Sequence, residues 1–122
     1  MPVVEIVTNV PAESAPAGLV GRAAKVVSEM MDKPLPAVTV CLRHETMFRI
    51  GSDDPCAMIF IASVEAFNDH DNNRRYSKEL IDFAATELNV PAARVNLLMQ
   101  NLSRWQIGLP GGKLLGDRMK EN

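Results

Sequence analysis

The chain has 122 residues, a formal net charge of −2 and a hydrophobic fraction of 47%, values typical of one soluble globular domain rather than a disordered chain. Acidic and basic residues are interspersed, so we expect no nucleic-acid partner and no binding to an anionic membrane. No apolar stretch is long enough for membrane insertion, and no secretory signal is recognisable. We therefore expect a single cytoplasmic domain over residues 1–122.

The first half of the chain predicts a strand, a helix and a second strand. Pro2 to Thr8 contains a β-branched run and is typical of a strand. Ser14 and Pro16 predict a helix start, and apolar residues at helical spacing follow until Pro34. Ala37 to Arg43 then alternates apolar and polar residues, which predicts a second strand.

The second half repeats this order. Ala57 to Val64 is a nearly continuous apolar run, which favours an inner strand covered on both faces. Asn72 or Asn73 is predicted to cap a helix that Pro91 closes. Arg94 to Gln100 reads as the fourth strand.

An internal repeat supports the division into halves. A short pattern recurs 57 positions along the chain, in which Pro34, Val38 and Val40 correspond to Pro91, Val95 and Leu97. We therefore predict an α+β fold, in which two βαβ repeats form a four-stranded mixed sheet with both helices on one face. The other face would expose apolar residues to water, so we expect the sheet to pack against copies of itself.

Pro2 is a candidate reactive group. Removal of Met1 would leave a secondary amine at the chain terminus, and an α-amino group titrates near neutral pH. Burial or a neighbouring cation would lower its pKa further and make it a good base for proton transfer. The alternative is an ordinary chain start that frays in solvent.

Lys33 lies where the first predicted helix ends. Its charge could depress the pKa of a nearby amine and bind a substrate carboxylate. The alternative is that Lys33 only favours the carboxyl end of its helix, where a cation is stabilising.

The cysteines and histidines give no independent sign of a site. Cys41 and Cys56 are too few for a disulfide scaffold or a zinc site, and both are expected to be reduced and buried. His44 and His70 are expected to be solvated surface residues.

The chain carries several short motifs in a specific order and spacing, namely Met1-Pro2-Val3-Val4, Thr8-Asn9-Val10-Pro11, Lys33-Pro34, Pro55-Cys56-Ala57, Asn73-Arg74 and Tyr76-Ser77-Lys78. Taken together, these motifs resemble the macrophage migration inhibitory factor and D-dopachrome tautomerase family. Trp105-Gln106-Ile107-Gly108 resembles the D-dopachrome tautomerase branch more. The resemblance extends to about Leu115.

This resemblance implies a cofactor-independent tautomerase without a metal, assembled as a homotrimer with a pocket at each subunit boundary. Pro2 would be the general base, and the substrates would be enolisable keto acids such as phenylpyruvate, or D-dopachrome; a decarboxylase type of reaction on D-dopachrome is also compatible. Lys33 would contact the substrate carboxylate, and Ser63 and Val64 would line the pocket. In the mechanism that we expect, Arg104 or Asn96, near the subunit boundary, would steer the other end of the substrate.

The sequence also departs from the family pattern. Asn96 and Leu98 occupy positions where the macrophage factor presents tyrosine and asparagine from the adjacent subunit; Asn96 remains a candidate substrate-binding residue. The family's Cys-x-x-Cys motif is incomplete here, because Cys56 matches its first cysteine but Ile59 occupies the position of the second. Thiol-disulfide exchange is therefore not expected.

Two alternative functions remain open from the resemblance. One is a cytokine-like ligand, secreted without a signal peptide, that binds a cell-surface receptor and has weak tautomerase activity. The other is a trimeric scaffold with an ordinary apolar cavity. Residues 116–122 are expected to form a mobile tail.

Overall fold

A four-stranded mixed sheet carries two long helices on one of its faces. The computed structural model describes residues 1–119. The strands are β1 (Pro2–Thr8), β2 (Thr39–His44), β3 (Ala57–Val64) and β4 (Val95–Leu102), and the helices are α1 (Leu19–Met31) and α2 (His70–Leu88). Their order across the sheet is β2-β1-β3-β4. β1 runs parallel to β2 and β3 parallel to β4, while β1 and β3 are antiparallel. The predicted pair of βαβ halves is confirmed.

The repeat extends to details of the backbone. Asp32 and Asn89, 57 positions apart, end α1 and α2 in the left-handed conformation, with φ of 51° and 55°. Such a residue commonly ends a helix, and Asn and Asp tolerate it better than most side chains. Each is followed by a proline and a 3₁₀ turn, Leu35–Ala37 or Ala92–Arg94. These turns explain why the second and fourth strands start later than predicted.

The start of the first helix was predicted wrongly. Ala12–Ser14 forms a separate 3₁₀ turn, and α1 begins only at Leu19. Gly18 precedes it with φ of 79°, a left-handed conformation that glycine adopts without steric cost. Ser14 therefore belongs to the connection and does not cap the helix.

The cap of the second helix was also predicted wrongly. Asp69, not Asn72 or Asn73, is the capping residue of α2. Its Oδ1 accepts hydrogen bonds from the backbone N–H groups of Asp71 at 2.8 Å and Asn72 at 3.1 Å. These bonds satisfy two of the backbone donors that a helix start leaves without partners.

The core lies between the sheet and the helices. Alternate strand residues point into it and meet the apolar stripes of α1 and α2. Its least exposed large aliphatic side chains are Val4, Ile6, Ile59, Ile61, Val27 and Leu80. Each such side chain contributes about 1.5–3 kcal/mol of transfer free energy when it is fully buried.

The other face of the sheet is open in the single chain. Val3, Phe60 and Leu98 are 36%, 40% and 53% exposed there. β3 is therefore an inner strand, as predicted, but only one of its faces is covered within the chain. Cys41 lies on this open face and is exposed, so the expectation that both cysteines are buried holds for Cys56 alone.

His44 is also less solvated than predicted. It ends β2 and is half-buried, and its Nδ1 lies 2.6 Å from the backbone carbonyl oxygen of Val10. His70 is exposed at the start of α2, as expected.

The described part of the predicted mobile tail is folded. After β4 the chain forms β5 (Gly108–Leu109), β6 (Lys113–Leu114) and the short helix α3 (Leu115–Met119). Gly116 is buried against Trp105, and a Cβ there would lie 2.5 Å from the indole ring. The rest of that prediction, residues 120–122, lies outside the described residues. No helix in residues 1–119 combines the length and hydropathy that a membrane span requires.

We predict that Asp69→Ala lowers the free energy of unfolding by about 1 kcal/mol, because it removes both capping hydrogen bonds of α2. Urea denaturation followed by circular dichroism measures the change. Asp71→Ala is the matched control. It removes a carboxylate of the same turn whose ion-pair partner within residues 1–119 is exposed Arg74, and it should cost no more than about 0.5 kcal/mol. An equal loss in both variants would contradict the assigned cap.

Candidate active site

Pro2 begins β1 and is fully buried. It stands opposite Ser63 in the antiparallel register of β1 and β3. Proline is tolerated at the first residue of a strand because its missing N–H costs no interior ladder bond. In the structure Met1 precedes it, 38% exposed. Removal of Met1 would make the Pro2 imino nitrogen the chain terminus at this end of the sheet.

The environment of the amino terminus disfavours a positive charge. Partial burial of the Met1 α-amino group, and then the nearby Lys33 ammonium, lower its pKa below the ordinary value of 8.0. Both act in the same direction, because each destabilises the protonated amine. A terminal amine here is thus neutral over a wider pH range than one in open solvent.

The end of α1 fixes the backbone of Lys33. Its N–H donates to the Ser28 carbonyl oxygen at 2.9 Å, and the Ser28 hydroxyl donates to the Lys33 carbonyl oxygen at 2.5 Å. Lys33 itself remains exposed. The backbone of Lys33 is therefore held near the terminus, while its ammonium is open to a ligand from solvent.

Ser63 and Val64 end β3 beside Pro2. Ser63 is 1% exposed, and its hydroxyl donates to the Met1 carbonyl oxygen. That acceptor would leave with Met1, so the hydroxyl of the processed chain needs another partner. Val64 is half-buried and stands opposite Leu102 of β4. The structure thus brings Pro2, Lys33, Ser63 and Val64 to one end of the sheet.

Arg104 follows β4 at the same end. Its Nη2 lies 3.2 Å from Oε2 of Glu65, and its side chain is 29% exposed. Glu65 comes directly after β3 in the left-handed conformation, with φ of 51°. Sequence reasoning missed Glu65 because no local pattern marks an acidic partner 39 residues away in the chain.

Asn96 is not near Pro2 within one chain. It stands opposite Met58, which in turn stands opposite Val7 of β1. Val7 is five residues along the strand from Pro2, or about 17 Å at the usual rise of a strand. Asn96 and Leu98 both lie on the open face of the sheet and are exposed.

Two cavities of the described chain lie outside the site at Pro2. One of about 810 Å³ lies between α1 and α2, where Val26, Met30 and Phe83 contribute its apolar lining. Another of about 340 Å³ lies on the open face and is lined by residues that include Phe60 and Leu98. Pro2 and Lys33 line neither cavity.

These observations define a class of protein in which two βαβ units place an amino terminus with a lowered pKa near a lysine whose backbone is held by hydrogen bonds. The family model described as macrophage migration inhibitory factor (MIF) matches residues 1–115. The chain belongs to the macrophage migration inhibitory factor family, which confirms the resemblance drawn from its motifs.

Similar proteins agree over nearly the whole chain. "D-dopachrome decarboxylase" of Mus musculus is 34% identical over 112 residues, covering 91% of this chain and 95% of the relative. "Macrophage migration inhibitory factor" of Xenopus tropicalis is 30% identical, covering 91% of this chain and 96% of the relative. Among solved structures, the macrophage migration inhibitory factor from Trichinella spiralis superposes with a TM-score of 0.84 at 24% identity, covering 92% of this chain and 98% of that one. The protein of that name from Toxoplasma gondii superposes with a TM-score of 0.79 at 26% identity, with the same coverage.

We predict that Lys33→Met raises the pKa of the terminal amine, because the variant loses the cation that disfavours protonation. The pKa should stay below the ordinary value, since burial still acts. NMR titration of the terminal nitrogen measures it. Lys25→Met removes an equal charge from the exposed side of α1 and should leave the pKa unchanged; a shift of equal size in both variants would contradict a specific effect of Lys33.

Proposed function

We propose that the processed chain is a cofactor-independent keto–enol tautomerase in which Pro2 is the general base. The observation that carries the proposal is the partly buried amino terminus, whose pKa is lowered by burial and by Lys33. A base with a pKa near the working pH transfers protons best. The substrate class is an enolisable keto acid of the phenylpyruvate type, or D-dopachrome, the compound named in several relatives.

In the proposed reaction the neutral imino nitrogen of Pro2 takes a proton from the carbon next to the substrate ketone. The electron pair of the broken C–H bond moves to the ketone oxygen and forms an enolate. The protonated Pro2 then delivers the proton to that oxygen, which gives the enol and restores the neutral base. The reverse direction uses the same steps, so the reaction only moves a proton.

Lys33 has two roles in this proposal. Its ammonium binds the substrate carboxylate and stabilises the negative charge that develops on the enolate. The same charge, which lowers the pKa of the Met1 α-amino group, would act on the Pro2 imino nitrogen once Met1 is removed. Ser63 and Val64 line the pocket beside the base, and Arg104 lies at its rim, where Glu65 holds it.

We also propose that the protein assembles as a homotrimer through the open face of the sheet. Exposed Val3, Phe60 and Leu98 supply the apolar contact area. A second copy would add a further wall to the site at Pro2. Asn96 would then enter the site from the adjacent protomer.

We predict that Pro2→Gly lowers kcat/KM for phenylpyruvate enolisation by about 10²-fold, at the lower end of what a general base contributes. Glycine keeps a small second residue, so Met1 should still be removed, as intact mass can verify. The absorbance of the enol measures the rate. Wild-type activity in a variant with the correct mass would contradict the role of Pro2.

We predict that Phe60→Glu dissociates the trimer, because a charge would have to be buried in the interface. Light scattering coupled to size-exclusion chromatography measures the molar mass. Val20→Glu is the matched control, because Val20 is 41% exposed and Phe60 is 40% exposed. Val20 belongs to α1, which packs on the face of the sheet opposite the proposed interface. A trimer that survives Phe60→Glu would contradict the proposed interface.

A secreted signalling ligand with this fold is an alternative function that stays a prediction. A cytoplasmic location also stays a prediction. The Pro2→Gly variant separates the two functions. A receptor-binding surface would survive the substitution, while turnover would not.

A further inference from the structure

Glu65 has a backbone conformation that glutamate does not favour. It follows β3 with φ of 51°, in the left-handed region that side chains other than glycine enter at a cost. Asp32 and Asn89 share this conformation, but their short polar side chains tolerate it better. Residues held in such conformations concentrate at functional sites, so the side chain of Glu65 is a candidate for a role in function.

The ion pair of Glu65 lies at the end of the sheet that carries Pro2. Ser63 stands opposite Pro2, and Glu65 comes two residues later, about 7 Å along the strand direction. Its partner Arg104 comes just after the end of β4. Lys33 belongs to the connection that leads into β2. Because the strand order is β2-β1-β3-β4, Lys33 lies on one side of Pro2 and the ion pair lies on the other.

The cations on the two sides of Pro2 differ in how far they are neutralised. Nη2 of Arg104 lies 3.2 Å from Oε2 of Glu65. None of the ion pairs within residues 1–119 includes Lys33. A ligand carboxylate can therefore pair with Lys33 directly, whereas at Arg104 it would first have to displace Glu65.

The ion pair presents its acidic member to solvent. The Glu65 side chain is 59% exposed and the Arg104 side chain is 29% exposed. An approaching ligand therefore meets the carboxylate before it meets the guanidinium group. Because like charges repel, the pair disfavours a second anionic group on a ligand that is already bound to Lys33.

We propose that Glu65 is a specificity-determining residue that favours substrates with a single carboxylate. This inference rests on the proposed function, in which Pro2 and Lys33 act on an enolisable keto acid. Glu65 neutralises Arg104 and repels a second carboxylate, so the substrate anion is directed to Lys33. The preferred substrate is thus a monoanion such as phenylpyruvate, and a dicarboxylate with the same keto acid group is a poorer one.

Two probe substrates test the inference: phenylpyruvate and its analogue with a second carboxylate at the para position of the ring. The measured quantity is the selectivity ratio, which is kcat/KM for the analogue divided by kcat/KM for phenylpyruvate, at low ionic strength. Glu65→Gln keeps the size of the side chain but removes the repulsion and frees Arg104. The selectivity ratio should therefore rise by about threefold or more, mainly through KM, and added salt should reduce this rise.

Arg104→Met separates the effect of charge from the effect of structure. It breaks the same ion pair but leaves the carboxylate of Glu65 without its partner. The selectivity ratio should therefore fall in Arg104→Met, whereas it should rise in Glu65→Gln. An ion pair with a purely structural role would shift the ratio in the same direction in both variants.

Two further variants are controls. Glu45→Gln removes a carboxylate of similar exposure, 54%, from the opposite end of the sheet, where Glu45 follows β2. It should leave the selectivity ratio unchanged. Glu65→Gly removes the charge and also relieves the left-handed backbone, so its ratio should equal that of Glu65→Gln if charge alone sets the selectivity.

The inference is overturned if Glu65→Gln leaves the ratio unchanged, if Arg104→Met raises it, or if Glu45→Gln shifts it as much as Glu65→Gln does. Should Arg104→Met not fold, Glu65→Gln and Glu65→Gly still decide the question. Phenylpyruvate turnover by the wild type with an unchanged ratio in the Glu65 variants would refute the role of Glu65 alone. A wild type that turns over neither probe would refute the proposed function, and the role of Glu65 with it.

Discussion

β1 pairs with β2 on one side and with β3 on the other from its first residues onward. A chain terminus normally frays in solvent, but here it is held between two strands and its first strand residue, Pro2, is fully buried. The strand pairing also brings the end of β3, with Ser63, beside the terminus. The connection from α1 to β2 carries Lys33 to the same end of the sheet. The low pKa of the terminus follows from this placement, because burial and a fixed cation act on the same amine.

The arrangement of the sheet also leaves one of its faces uncovered in a single chain. Both helices pack on one face, so Phe60 and Leu98 remain exposed on the other. Asn96 lies about 17 Å along the strand direction from Pro2. Assembly through the open face would bury this apolar area and would supply a second wall to the site at Pro2. In the proposed trimer, folding energetics and the completion of the active site therefore depend on the same surface.

The sequence predicted the fold well because its signals are local and repeated. β-branched runs, helical spacing and the prolines 57 positions apart defined both halves. The predicted starts of both helices were wrong because serine, asparagine and aspartate all cap helices. Only the backbone path shows that Asp69 caps α2 and that Gly18 precedes α1. Cys41 was expected to be buried, but the open face of the sheet exposes it.

Pro2 and Lys33 could be proposed from sequence because each stands at the end of a recognisable element, and their proximity follows from the parallel pairing of β1 and β2. Glu65 could not, since its contact with Arg104 joins residues 39 positions apart and no periodic pattern encodes it. The most direct test of the central claim is titration of the Pro2 imino nitrogen in processed, ¹⁵N-proline-labelled protein, set beside the pH profile of kcat/KM. The account predicts that burial and Lys33 lower the pKa of this nitrogen, as they lower that of the Met1 amine, and that the same pKa governs the acidic limb of the profile. A nitrogen that stays protonated throughout the pH range of full activity would contradict it.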